Sequence, residues 1–226
     1  MAEFREGFEN GSYDYEGIRE VTIPKEWIAA WWEGNHDTPN GVQYFNRPEY
    51  DMKDTRRGHS EVYAGYCAAN LFSASKVHNG CLIRGFNIGR NRLLTAEVMS
   101  MIKSPNAARD TGHEMRIGVD PGGGLDMDAP TVRWSGWYST GANEYVHGAW
   151  VRQAVTTVSD SDWVTVFLHS RNVYWNVWSH AHWDEFVLTY EGTPEPPVPP
   201  PPSGGEFDWE RLARAHEAFA AVLRGQ

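Results

Sequence analysis

The stretch that decides the fold class of this chain is His113-Glu114-Met115-Arg116-Ile117-Gly118-Val119. Its apolar residues Met115, Ile117 and Val119 alternate with polar residues or glycine, and a period of two is typical of a β-strand. Because only one of its two faces is apolar, the stretch predicts a half-buried strand.

Working outward, the same period of two recurs along most of the chain. Asp162 to His169 has apolar or aromatic residues on both faces, which predicts a central strand covered on both sides. Turn-forming sequences such as Asn79-Gly80 separate the runs. The chain between Pro24 and Trp32 is interpreted as a short helical turn or an irregular aromatic loop. The other predicted strands cover residues 61–72, 81–88, 93–103, 131–134, 145–155 and 183–190.

About eight strands without a long helical pattern before residue 206 predict an all-β fold. The expected architecture is an antiparallel jelly-roll β-sandwich spanning residues 1–192. The length of 226 residues fits one large all-β domain with an appendage, or two small domains.

The composition changes sharply after Gly192. Residues 193–205 contain nearly continuous proline followed by Ser203-Gly204-Gly205, which predicts a stiff spacer with a flexible joint. Residues 206–226 predict an amphipathic helix capped by Asp208, with an apolar stripe formed by Leu212, Ala215, Phe219 and Val222. A helix this short is marginal alone. It is expected to dock on its own domain, or to self-associate or bind a protein partner.

The net charge of −10 and the pI of about 5.3 argue against nucleic acid as a partner. They argue equally against anionic membrane surfaces, and no apolar run is long enough to insert into a bilayer. Met1 to Asn10 lacks the apolar segment of a signal peptide. We expect an extracellular, virion or cell-surface location, reached after removal of a signal or by another export route.

Cys67 and Cys81 flank a predicted hairpin centred near Ala74, so antiparallel pairing would place them opposite each other. Two interpretations stay open, a cross-strand disulfide and a pair of buried free thiols.

The order of several motifs resembles that of a known family. The motifs are Gly7-Phe8-Glu9-Asn10-Gly11, Ile23-Pro24-Lys25-Glu26-Trp27, Arg57-Gly58-His59-Ser60, the run from Arg116 to Gly123, and Trp183-Asp184-Glu185-Phe186-Val187-Leu188. Over roughly residues 4 to 191 the chain resembles the galactose-binding-like jelly-roll modules of the carbohydrate-binding type, which accompany glycoside hydrolases and occur in secreted bacterial surface proteins. The resemblance implies a non-catalytic domain that binds a glycan or cell-surface polysaccharide.

The resemblance also implies a structural calcium ion that bridges the first and last strands. Glu9 and Asp184 would supply carboxylates, and the turn containing Ser60 would supply carbonyl oxygens, which are the ligands that this cation prefers. The alternative is that Glu9 and Asp184 are ordinary carboxylates at strand ends.

Aromatic residues in two polar stretches are the candidate sugar-binding residues, because a pyranose offers a C–H face for stacking and hydroxyls for hydrogen bonds. The first cluster contains Trp27, Trp31 and Trp32, beside polar residues 33 and 35–37. The alternative is that these rings cap the open ends of the sandwich. The second cluster consists of Tyr174, Trp175, Trp178, His180 and His182 with Arg171, Asn172 and Asn176. Trp134, Trp137 and Tyr138 could join either cluster.

Enzyme chemistry has weaker support. His180-x-His182-x-x-Glu185 is similar to a cupin metal motif, but the glutamate comes one residue early and no glycine precedes it at the usual distance. Glycoside hydrolysis requires two paired carboxylates, and nothing pairs Glu33 with Asp37.

Three hypotheses about the function follow from the sequence. The first is a glycan-binding module, and the second is an assembly protein such as a virion decoration, fibre or cell-surface component. The third is a small glycoside hydrolase or cupin-like metalloenzyme.

Overall fold

In a computed structural model, the chain is an all-β sandwich, as predicted. The structure describes residues 1–38, 41–74, 77–103, 112–139, 149–173 and 178–192. Its strands are β1 (Ala2–Glu6), β2 (Ser12–Asp14), β3 (Thr22–Pro24), β4 (Ile28–Trp31), β5 (Gly34–Thr38), β6 (Gly41–Asn46), β7 (Glu49–Asp54), β8 (Cys67–Ala74), β9 (Val77–Asn87), β10 (Leu93–Lys103), β11 (His113–Asp120), β12 (Arg133–Trp134), β13 (Tyr138–Ser139), β14 (Val151–Val158), β15 (Trp163–Asn172) and β16 (Trp178–Tyr190).

Two sheets form the sandwich. The first has the order β14-β10-β16-β8-β7, with β1 also paired to β16. The second has the order β12-β11-β15-β9-β6-β5, with β13 paired to β11 and β4 to β9. From β8 to β11, and again from β14 to β16, successive strands alternate between the two sheets. This alternation is the jelly-roll topology that the sequence predicts.

Inward-facing side chains of both sheets form one apolar core. The predicted alternation in β11 is confirmed, since Met115, Ile117 and Val119 are fully buried. The prediction of a central strand is also confirmed, because β15 lies between β11 and β9 and both Phe167 and Leu168 are buried.

A β-bulge in the last strand keeps its aromatic residues in the core. The register between β10 and β16 shifts between Glu97 and Met99, and Glu185 has a φ of 46°. Trp183 and Phe186 therefore both face inward although they are three residues apart. Trp27 packs edge-on against Phe186, with ring centroids 5.6 Å apart.

The predicted hairpin around Ala74 is wrong. Strands β8 and β9 lie in different sheets, since β8 pairs with β16 and β7, whereas β9 pairs with β15, β4 and β6. Cys67 and Cys81 are both buried free thiols, so the disulfide interpretation is also wrong. The physical reason is that a jelly-roll connection crosses from one sheet to the other instead of returning along its own edge.

The region before residue 60 contains more strand than the sequence suggests. The helical turn or irregular loop expected between Pro24 and Trp32 is instead the end of β3 followed by β4. The predicted strand 61–72 begins only at Cys67, because the residues before it form a loop over the first sheet.

Contacts along the chain define a compact unit over Met1–Gly192. The linker predicted at 193–205 and the helix predicted at 206–226 lie outside the described residues. Within the described ranges, no helix combines the length and apolarity that crossing a membrane requires.

Candidate functional site

The outer face of the second sheet carries a row of polar side chains on β11 and β15. Antiparallel pairing places Arg116 opposite His169 and Glu114 opposite Arg171. Arg116 Nε donates to His169 Nδ1 (3.0 Å), and His169 Nε2 lies 2.7 Å from Asn79 Oδ1. Since Nδ1 accepts a hydrogen bond, the proton of the neutral ring is on Nε2, where it can be donated to Asn79. Three neighbouring strands therefore fix this imidazole.

His169 is held in its neutral form. Burial lowers its pKa well below the usual value, and the positive charges of Arg116 and Arg171 lower that pKa further. The ring is consequently an uncharged hydrogen-bond relay between Arg116 and Asn79.

Two tryptophans and two arginines stack over this row. The Arg116 guanidinium carbon lies 3.8 Å from the ring centroid of Trp134 and 3.9 Å from that of Trp137. The guanidinium carbon of Arg171 lies 4.3 Å from the Trp137 centroid. We call these four residues the tryptophan–arginine stack. Cation–π contacts of this kind contribute about 0.5–2 kcal/mol each, depending on exposure.

The backbone of β11 makes room for the stack. A Cβ atom built on Gly118 would come within 2.5 Å of two ring carbons of Trp134. Trp134 lies directly across from Gly118 in the β11–β12 pairing, so its ring rests on the bare backbone of the sheet. Gly118 therefore determines how closely the Trp134 ring, the lowest member of the stack, approaches the backbone of the sheet.

The first predicted aromatic cluster is divided between three places. Trp32 joins the outer face, with its ring centroid 6.2 Å from that of His169, and its backbone N–H donates to Asn79 O. Trp31 packs against the core beside Tyr50, and its Nε1–H donates to Glu33 Oε1. Trp27 is fully buried in the core. Neighbouring residues of a strand point to opposite faces, which separates Trp31 from Trp32.

The second predicted cluster is divided as well. Arg171 belongs to the tryptophan–arginine stack and forms an ion pair with Glu114 (2.7 Å). Trp178 lies at the start of β16 in the first sheet, where its ring centroid is 5.4 Å from that of His180. Tyr174, Trp175 and Asn176 lie outside the described residues. Trp137, left unassigned by the sequence, stands at the centre of the site.

The sequence did not single out Arg116, His169 or Asn79. The signal available was modest: outward positions on two neighbouring strands carry Arg116 and His169, and a Trp-x-x-Trp pair follows at Trp134 and Trp137. Pairing of β11 with β15 brings these separate signals together.

The two carboxylates predicted to bind calcium reach the same loop. Asp184 Oδ2 accepts hydrogen bonds from the backbone N–H groups of Tyr63 (2.8 Å) and Ala64 (3.0 Å). Glu9 Oε1 accepts from the N–H groups of Tyr66 and Cys67. Ser60 lies earlier in this loop and is exposed.

This donor set does not fit a calcium ion in the arrangement described. The groups around the two carboxylates are N–H donors, whereas calcium needs additional oxygen ligands. No set of three His, Cys, Asp or Glu residues in the described parts of the chain could hold a metal. Burial raises the pKa of Asp184 to about 6, and the backbone N–H groups offset part of that rise. Calcium therefore stays a prediction.

The histidine pair lies on one face of β16, as expected from its spacing. The rings of His180 and His182 stack at a centroid distance of 5.6 Å and an interplanar angle of 7°. His180 Nδ1 contacts Asn70 Oδ1, whereas Glu185 lies beyond the bulge and forms an ion pair with Arg5. Both ring nitrogens of the buried His182 lack a hydrogen-bond partner among the described residues, so the three residues of the cupin-like motif do not share one.

A groove of about 510 Å³ lies on the first sheet, away from the tryptophan–arginine stack. Its lining includes Phe72 and His180, together with Asp51 and Lys53, which form an ion pair of 3.0 Å. Arg19, Glu20 and Glu49 also line this groove, so its surface is polar and carries charges of both signs.

No protein-family model matches this sequence, and no curated protein does. Similar solved structures include the carbohydrate-binding module TmCBM61 in complex with β-1,4-galactotriose, with 10% identity and a TM-score of 0.48 over 74% of this chain and 90% of that one. They also include the K1 cleaved adhesin domain of Lys-gingipain from Porphyromonas gingivalis W83 (14% identity, TM-score 0.45, 85% and 100% covered). A third is the CBM22-1 xylan-binding domain of Paenibacillus barcinonensis Xyn10C (11% identity, TM-score 0.43, 84% and 94% covered).

All three similar structures have TM-scores below 0.5 and share less than 25% of their residues with this chain. At such identities and TM-scores they carry no argument about what this chain binds. The functional proposal therefore depends on the site itself.

Proposed function

We propose that this protein is a non-catalytic glycan-binding domain whose binding surface is the outer face of the second sheet. The observation that supports the proposal is the tryptophan–arginine stack. It places planar hydrogen-bond donors and aromatic rings side by side on a rigid sheet, where His169 and Asn79 extend the polar surface. Sugars are bound by oriented hydrogen-bond donors, and here the tryptophan rings hold the guanidinium groups that supply them. A glycan ligand would suit an extracellular or surface location.

The test compares substitutions on the two faces of the sandwich. Trp137→Ala removes the ring at the centre of the stack, and we expect glycan affinity to fall about 30-fold, the effect of losing about 2 kcal/mol. Trp178→Ala, on the first sheet, is the matched control and should bind as the unchanged chain does. Microarray screening with affinity electrophoresis measures both, and thermal melting checks that each variant is folded.

The two variants can also give the reverse result. If Trp178→Ala abolished binding while Trp137→Ala preserved it, the binding surface would lie on the first sheet. If the unchanged chain bound no glycan, the proposed function would be wrong.

A second candidate, assembly through the C-terminal segment, has its support in the sequence. The apolar stripe predicted at Leu212, Ala215, Phe219 and Val222 needs a covering surface, and the sequence before it is a proline-rich stretch typical of a stiff spacer. Light scattering after size exclusion compares the full chain with a chain ending at Gly192. A defined oligomer that becomes a monomer on truncation would support assembly, and two monomers would contradict it.

A further inference from the structure

We propose that the tryptophan–arginine stack recognises an acidic sugar, through the carboxylate or sulfate group that it carries. This inference rests on the proposed function, since it names the ligand class of the same surface. Three observations support it: an arginine without a counterion, aromatic faces that are already covered, and the balance of charge around the stack.

Arg116 forms no direct ion pair with an acidic side chain in the described part of the chain. Among the described residues no Asp or Glu forms an ion pair with it, whereas Arg5, Arg84 and Arg171 each contact a carboxylate. Its Nε donates to the neutral ring of His169, and the two terminal nitrogens donate to no described group. A half-buried guanidinium without a counterion is unfavourable, so this position favours an anion supplied from outside.

The aromatic faces are covered. The guanidinium carbons of Arg116 and Arg171 lie 3.9 Å and 4.3 Å from the ring centroid of Trp137, so both arginines already pack against this ring. Trp134 has Gly118 beneath its ring and Arg116 3.8 Å from its centroid. A neutral pyranose would have to displace an arginine to stack on either ring. The groups of the stack that remain available to a ligand are the N–H edges of the two guanidinium groups.

Those N–H edges suit an oxyanion. The terminal nitrogens of a guanidinium form a planar fork that can donate two parallel hydrogen bonds to a carboxylate or sulfate. The two tryptophan rings hold the plane of Arg116, so little side-chain entropy is lost when an anion binds. The carboxylate of a uronic acid and the sulfate of a sulfated sugar share this chemistry.

The carboxylates near the stack leave Arg116 without a direct ion pair, although the chain carries a net charge of −10. Glu114 forms its ion pair with Arg171. Asp128 interacts with Arg116 electrostatically, but the two form no ion pair within 4.0 Å. Among the described residues, the terminal N–H groups of Arg116 therefore have no carboxylate to bind, and an anion supplied from outside can take that place.

The experiment uses the full chain and two matched pairs of polymers. Polygalacturonate is compared with its methyl ester, and dextran sulfate with dextran, so that each pair differs in charge and shares its sugar. We expect a charged member to bind at least about tenfold more tightly than its neutral form, and added salt to weaken that binding. The pair that shows the preference identifies the anion as carboxylate or sulfate.

Variants assign the binding to the stack. Arg116→Gln should lose the preference for the charged polymer, whereas Arg152→Gln, which removes the same charge from the exposed surface of β14, should keep it. Glu114→Gln releases Arg171 and should tighten binding of the charged polymer. An increase in affinity cannot result from misfolding, so this variant tests the inference even if Arg116→Gln unfolds.

Several outcomes would overturn the inference. If the unchanged chain bound charged and neutral polymers equally, or bound only neutral galactan or xylan, acidic recognition would be wrong while glycan binding survived. If both Arg116→Gln and Glu114→Gln kept the selectivity of the unchanged chain, the anion would bind at a surface other than the stack. Binding to none of these polymers would contradict both the inference and the proposed function.

Discussion

Gly118 shows how one missing side chain builds the site. Its neighbours in β11 carry side chains on both faces, but the ring of Trp134 occupies the space where a Cβ of residue 118 would stand. The backbone there is ordinary extended strand, so the need for glycine is steric and not conformational. The positions of the other members of the tryptophan–arginine stack depend on that contact.

At the residue scale we therefore predict that Gly118→Ala disrupts the site. The added methyl group must push Trp134 outward, and overpacking of this kind costs about 1–3 kcal/mol. Urea unfolding measures the loss of stability, and glycan binding should weaken in parallel. Gly136→Ala is the control, since a Cβ there meets nothing within 4 Å, and it should change stability by less than about 0.5 kcal/mol. Equal behaviour of the two variants would show that the ring does not rest on Gly118.

At the scale of elements, the loop before β8 is held by carboxylates from two other elements. Asp184 in β16 and Glu9 after β1 each accept two backbone hydrogen bonds from the chain between Tyr63 and Cys67. The connection therefore covers the outer face of the first sheet, where His182 is fully buried. Direct hydrogen bonds thus attach this loop to the two carboxylates, which is the structural role that a bridging cation would have.

For this loop we predict that calcium is dispensable. The carboxylates already accept N–H donors, so a chelator should leave the melting temperature unchanged, and added calcium should not raise it. Asp184→Asn should lower the melting temperature by roughly 4–8 °C, because about 2 kcal/mol of hydrogen bonding is lost. The surface variant Glu185→Gln serves as the control. A rise in melting temperature with calcium would reinstate the metal, and would require the loop to turn carbonyl oxygens towards the carboxylates.

At the scale of the whole molecule, the sandwich buries an unusual set of histidines. His78 bridges Ser73 and Ser170 between the two sheets, and His113 also contacts Ser170. Burial is the main reason why the pKa of each buried histidine is lowered. The pKa falls to about 3 for His78 and His180. It falls well below the usual value for His113, His169 and His182.

These lowered pKa values predict a protein that is destabilised by mild acid. In the unfolded chain these histidines become protonated near pH 6.5, whereas in the folded chain they stay neutral. Their contribution to stability is therefore fully present above that pH and is lost as the pH falls below it. Each such histidine contributes a loss of about 1 kcal/mol per pH unit. Asp184 has the opposite sign, because its raised pKa gives stability that disappears as the pH rises through about 6. One carboxyl group offsets only part of the effect of five histidines.

Urea unfolding between about pH 7.5 and about pH 5 measures this dependence. We expect the free energy of unfolding to decrease throughout that range as the pH falls. His78→Gln should be less stable than the unchanged chain but show a shallower dependence on pH, whereas His59→Gln, on a surface loop, should keep the slope. A free energy that is flat across this range would mean that the histidines are protonated in the folded state.

The candidate site could be predicted only in fragments. Arg171 and Trp32, both from polar aromatic stretches, lie on the outer face of the second sheet, whereas Trp31, next in the chain, faces the core. Sequence order cannot tell which face of a strand meets the other sheet when both neighbouring residues are tryptophan. Trp178 and Arg171 fall in the same stretch but in different sheets, because a jelly-roll connection separates them.

The sequence by itself determined the strands and the class of fold. Its period of two marks β10, β11 and β15 close to their observed bounds, since alternation between core and solvent is a local property of a strand. Only the tertiary structure decided which strands are neighbours. Pairing places Arg116 beside His169 and carries Cys67 away from Cys81, because hydrogen bonding between strands distant in sequence depends on the packing of the whole sandwich. The site is therefore a product of strand order, and the fold class is a product of local pattern.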